Sequence, residues 1–116
     1  MSDLYQMKCV DCRAGEPTVT DDEIRVLQSQ ISQWQVKEEN GEKRLEPVFK
    51  FKNFAQALVF TNKVGAIVEE KDHHPLIITE YGQVTVNWWT HTIGGLHKND
   101  FIMASKTDQL FEMGFV

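Results

Sequence analysis

Residues 34–51 read WQVKEENGEKRLEPVFKF, and the pattern inside this stretch decides the fold. Trp34 to Glu39 alternates, with Trp34, Val36 and Glu38 on one side, and Arg44 to Phe51 alternates again. Between the two runs, Asn40-Gly41 supplies the pair of positive φ angles that a type I′ turn requires, so a β-hairpin is predicted. Upstream, Thr20 and Glu23 have the spacing of a capping box, and Val19 and Ile24 stand where a hydrophobic staple closes, so a helix starts there with Ile24, Leu27 and Ile31 on one face. Downstream, Asn53 can cap a second helix running through Glu70. Its Phe54, Leu58, Thr61, Gly65 and Val68 recur at helical spacing, with Ala57 and Val64 widening a core-facing stripe.

Beyond His73-His74-Pro75, where proline bars helix continuation, Leu76 to Glu80 reads as a strand, Tyr81-Gly82 as a turn and Gln83 to Thr92 as a long strand. Gly94-Gly95 ends it. His97 to Glu112 is predicted as a last helix with Phe101, Ala104, Asp108 and Phe111 near one face and Gly114 as a stop signal. The order is helix, two strands, helix, two strands, helix. It implies an α+β fold in which one four-stranded antiparallel sheet is covered on one face by three helices. A sheet of that kind has open edges, which are often joined between subunits, so a homodimer is expected.

The chain has 116 residues, with 12 Lys and Arg against 17 Asp and Glu, for a formal charge of −5. Clustered basic residues are what neutralise phosphates, and here they are few and scattered, which disfavours nucleic acid as a partner. No apolar run approaches the roughly 20 residues of a membrane span, and Met1 to Lys8 lacks the basic start and apolar block of a secretory signal. A cytoplasmic protein is expected. Residues 1–18 read as a loosely ordered lead and residues 19–116 as a single domain. The lead carries Cys9 and Cys12 in a CxxC spacing, which is half of a zinc ribbon; a structural zinc needs four ligands, so an unoccupied pair is favoured.

Three histidines stand at the ends of predicted elements: His73 and His74 between the second helix and the third strand, and His91 at the far end of the fourth strand. Antiparallel pairing folds that strand back and brings His91 beside Pro75, so the three imidazoles can converge at one rim of the sheet. Glu69 and Asp72 lie on the same rim. Imidazole titrates near pH 6.5, which suits both halves of a proton exchange at neutral pH, and a nearby carboxylate raises its basicity. Trp89 shares the side of His91 and could wall a flat ring. The same imidazoles and carboxylates could instead chelate zinc or iron.

Glu69-x-x-x-His73-His74-Pro75, His91 within Trp88-Trp89-Thr90-His91, Gly94-Gly95-Leu96 and Asp100 together resemble the pterin-4a-carbinolamine dehydratases, from about Thr20 to Glu112. The stretch Cys9-Val10-Asp11-Cys12-Arg13 and the run from Asn99 to Ala104 look like bacterial members. The resemblance implies the same α+β fold and the dehydration of 4a-hydroxytetrahydrobiopterin, or a related 4a-hydroxytetrahydropterin, to the quinonoid dihydropterin. That step serves the aromatic amino acid hydroxylases. It further implies His73, His91, His74 and Glu69 as the catalytic set, with His73 and His91 as acid and base in an order left open. His74, Asp72, Trp89 and Asp100 are the implied substrate-binding residues, with Asp100 at the site's edge. No cofactor or metal is implied, because the pterin is the substrate. Ile77 and His97 depart from the family pattern: some members carry an aromatic residue at the first position, and Thr is common at the second. Animal relatives of this fold also act as dimerising coactivators, which leaves a nonenzymatic interaction protein as the alternative.

Overall fold

Asn40 and Gly41 adopt φ of 52° and 79°, the left-handed pair that closes a two-residue turn. The hairpin they close pairs β1 (Gln35–Glu39) with β2 (Glu42–Glu46), Val36 lying across from Leu45. The computed structural model describes residues 4, 17–31, 34–71 and 75–112, with the backbone alone at 69–71 and 91. In it, β3 (Val48–Lys50) follows β2 after Pro47, and β4 (Leu76–Glu80) and β5 (Gln83–Asn87) form the second hairpin. Leu76 stands across from Asn87 and Glu80 from Gln83.

The expected single four-stranded sheet is not what forms. Among the described residues there are five strands in two sheets, one of β1-β2 and one ordered β3-β5-β4. Pro47 accounts for the break: it has no N–H to give a ladder, and it falls inside the run that alternation alone reads as one strand. The two sheets are linked by an isolated bridge, where Leu45 and Trp88 exchange backbone hydrogen bonds of 2.9 Å. The last strand is also shorter than expected. After Asn87 only isolated bridges remain, Leu45 with Trp88 and Thr90 with Gly95, and the chain then turns through a 3-10 helix at His91–Ile93.

Helix α1 (Asp21–Gln28) starts as its sequence predicts. The Thr20 hydroxyl accepts from the Glu23 N–H at 3.1 Å, and the Glu23 carboxylate accepts from the Thr20 N–H at 2.9 Å. It ends a turn earlier than the apolar spacing implied. Ile31 is buried from the turns that follow, where Gln30, Ile31 and Trp34 each bond the carbonyl three residues back. Helix α2 (Phe54–Lys71) is capped by the Asn53 side chain, whose Oδ1 accepts from the Gln56 N–H at 2.9 Å. Its buried stripe is Ala57, Phe60, Val64 and Val68, whereas Phe54 and Leu58 are 46% and 42% exposed. The helix is apolar on more than one face, so spacing alone picks the stripe poorly.

Helix α2 packs on β4 and β5, and α3 (Lys98–Glu112) packs on α2 and β2. Between them the Phe60 ring meets Phe49, Phe51 and Phe111 at centroid distances of 4.8, 5.3 and 5.9 Å. No helix among the described residues is long and apolar enough to cross a membrane.

One polar contact crosses this core. The buried Trp34 indole N–H donates to Asp108 Oδ1 at 2.6 Å. Burial pushes the Asp108 carboxyl up to about 6; the indole N–H pulls the other way and Glu112 adds a smaller push. The folded chain thus binds this proton more tightly than the unfolded chain, whose Asp titrates near 3.9. The associated stability is fully present below about pH 4 and is lost as pH rises through about 6, a difference on the order of 1–2 kcal/mol after allowance for partial solvent access. Asp108→Asn keeps an acceptor for Trp34 and removes the titration. Urea unfolding across pH 4–7 is expected to show a flatter profile for the variant, and an unchanged slope would contradict this assignment.

Candidate functional site

The β4–β5 register brings two strand ends to one edge of the fold. Leu76 opens β4 directly across from Asn87, which closes β5. Pro75 immediately precedes β4, and the Thr90–Gly95 bridge and the 3-10 turn beginning at His91 immediately follow β5. Glu69 belongs to the last turn of α2, which ends at Lys71. The connection from Lys71 to Pro75 holds Asp72, His73 and His74, which lie outside the described residues. The elements that bear the predicted imidazoles on either side, the start of β4 and the exit of β5, are therefore neighbours. Of the donors weighed for a metal, Glu69 and His91 are described by backbone, and among the described residues no three His, Cys, Asp or Glu gather as a metal site. Cys9 and Cys12 also lie outside the described residues.

Trp89 is 8% exposed. The Arg44 guanidinium lies over its ring, 3.8 Å from the centroid, and Arg44 Nη1 reaches Glu39 Oε2 at 3.0 Å. One face of the indole is thus occupied by a cation that is itself paired. Sequence reasoning missed Arg44, because its contact with Trp89 depends on the Leu45–Trp88 bridge between two different sheets.

Asp100, expected at the site's edge, is wholly buried. Its Oδ2 accepts from the Thr90 hydroxyl at 2.8 Å and from the His97 backbone N–H at 2.9 Å. His97 is the N-cap of α3, and its Nδ1 accepts from the Asn99 N–H at 3.0 Å. This is a variant of the Thr20–Glu23 cap: the carboxylate at the third helical position again accepts from the N-cap N–H, but the N-cap side chain takes the N–H of the second position and not the third. The cap accounts for the first-turn position of Asp100, where a negative charge also suits the helix dipole.

A small cleft of about 130 Å³ opens beside Thr18, Glu38, Lys43, Gly94 and Gly95. Small-molecule pockets commonly run from about 300 to 1,000 Å³, so this one is too small to take a pterin whole.

Comparison with known proteins adds an independent line. The sequence pattern of the pterin 4 alpha carbinolamine dehydratase family matches residues 17–110. A Nitrosococcus oceani protein is 61% identical over 112 residues, covering 97% of this chain and 99% of its own. A Marinobacter nauticus protein is 54% identical over 111 residues, covering 96% and 100%. Both are provisionally named pterin-4-alpha-carbinolamine dehydratases. Among solved structures, a Brucella melitensis protein described as a transcriptional coactivator/pterin dehydratase superposes with a TM-score of 0.73 at 29% identity, over 81% of this chain and 98% of its own. A pterin dehydratase-like protein described as a RuBisCO assembly factor in the alpha-carboxysome superposes with a TM-score of 0.58 at 24% identity, over 67% and 88%, a likeness of fold alone.

Proposed function

The chain belongs to the pterin 4 alpha carbinolamine dehydratase family, and from that membership we propose that it dehydrates a 4a-hydroxytetrahydropterin to the quinonoid dihydropterin by histidine acid/base catalysis. In this reaction the C4a–O bond breaks, the departing oxygen takes a proton and leaves as water, the N5 proton is removed, and a C4a=N5 double bond forms. One group must give a proton and another must accept one. Two imidazoles that titrate near neutrality suit these jobs.

His73 and His91 are the proposed acid and base, His74 the group that orients the pterin, and Glu69 the carboxylate supporting the imidazoles. Asp72 and Trp89 flank the ring in this reading, and the buried Asp100 bears on it through its hydrogen bond to Thr90. The observation that carries the proposal is the meeting of the start of β4 with the exit of β5, in a chain whose sequence matches this family from residue 17 to 110. The reading includes a cytoplasmic setting, service to an aromatic amino acid hydroxylase that produces the carbinolamine, and a homodimer. The dimer is supported by β4, an edge strand whose Leu76 and Ile78 are exposed.

The test is direct. Carbinolamine generated by a hydroxylase is followed by absorbance, with and without the protein. Quinonoid dihydropterin is expected to form faster than it does spontaneously. A second reading, a protein-binding role without catalysis, draws on the coactivator half of the Brucella melitensis protein's description. A stable protein partner combined with only the spontaneous rate would favour it.

A further inference from the structure

Resting on the dehydratase reading, we propose that His97 is a positioning residue which, through Asp100 and Thr90, fixes the turn that carries His91. The first N–H groups of a helix lack partners within the helix, and Ser, Thr, Asp or Asn usually supplies one. Here an imidazole does so: Nδ1 of His97 accepts from Asn99 and must be unprotonated to do it. In return the His97 N–H donates to Asp100 Oδ2. A buried carboxylate is tolerated only when its oxygens are hydrogen-bonded, and the Thr90 hydroxyl also donates to Oδ2.

Thr90 is held on two sides. Its backbone N–H donates to the Gly95 carbonyl at 2.8 Å, and its carbonyl accepts from the Gly95 and Ile93 N–H groups at 3.3 Å. Its side chain is tied to Asp100, and so to the start of α3. The segment from Thr90 to Asp100 is thereby closed into a braced loop, and His91, the residue after Thr90, leaves from a point anchored by both bonds. Removing the imidazole leaves the His97 N–H bond to Asp100 in place but strips the acceptor from the Asn99 N–H, which loosens the first turn of α3 on which Asp100 sits.

His97→Ala and His97→Thr test this in the full-length protein. Threonine restores a cap acceptor, and alanine does not. The expected result for alanine is a kcat lower by about tenfold with KM little changed, as misplacement of a reacting group produces, together with shifted NMR signals of the His91 ring. Threonine is expected to recover both. Thr90→Val should reproduce the alanine result, Thr90→Ser should not, and the combined His97→Ala/Thr90→Val variant should lose less than the product of the two. The Thr90 pair decides the matter if His97→Ala does not fold.

Wild-type kcat and wild-type His91 signals in folded His97→Ala or Thr90→Val would overturn the proposal. Absence of dehydration by the wild-type protein would instead overturn the dehydratase reading, and the NMR signals would still report whether His97 reaches His91.

Discussion

Replacing His73 and His91 together by alanine is expected to bring pterin dehydration close to the spontaneous rate while the circular dichroism spectrum stays that of the wild type. Positioned acid and base groups contribute roughly 10²–10⁴-fold each to reactions of this kind, so the loss should be plain in a stopped-flow absorbance trace. The two single variants carry further information. Groups that act as one acid/base couple are strongly non-additive, so either single replacement should cost nearly as much as both. His74→Ala is expected to raise KM more than it lowers kcat, since its proposed task is to hold the ring. A folded double variant with full activity would remove the mechanism.

The largest effect on stability is expected at Phe60. Its ring is buried and meets three other aromatic rings, and truncating such a phenylalanine costs about 3–5 kcal/mol, the transfer energy together with the cavity left behind. Against a total of about 5–15 kcal/mol for a domain of ordinary size, Phe60→Ala would leave a marginal fold. Leu58→Ala, on the same helix but 42% exposed, is expected to stay within about 1 kcal/mol. Chemical denaturation of both variants checks which stripe of α2 faces the core. Equal losses at the two positions would contradict the packing described.

The difference between those two positions shows what could be read from the chain in advance. Features made by neighbours in sequence were legible: the Asn40-Gly41 turn, the Thr20–Glu23 cap, the Asn53 cap, and the pairing of β4 with β5 around Tyr81-Gly82. Pro47 was legible too, because a proline inside an alternating run signals a break or an edge; treating Arg44 to Phe51 as one strand overlooked it. The stripe of α2 was ambiguous because apolar residues occupy more than one face of that helix.

Contacts between distant parts of the chain were harder to foresee. Arg44 over Trp89 and Trp34 on Asp108 depend on which elements become neighbours, and no local pattern encodes that. The His97–Asp100 cap was hidden by its residue types. Its spacing is that of a capping box, but neither His nor Asp belongs to the usual pair. Of the predicted site, the sequence anticipated that the start of β4 and the end of β5 would meet, because antiparallel pairing across a short turn dictates it.

In the proposed mechanism, imidazoles from the connection before β4 and from the turn after β5 share one pterin site. A crystal structure of the protein with a bound dihydropterin analogue tests it most directly. A pterin ring is expected between His73 and His91, with imidazole nitrogens within about 2.6–3.2 Å of its polar atoms or one water away and with His74 against it. A ring bound elsewhere, or the two imidazoles on opposite sides of the molecule and of any assembly it forms, would contradict it.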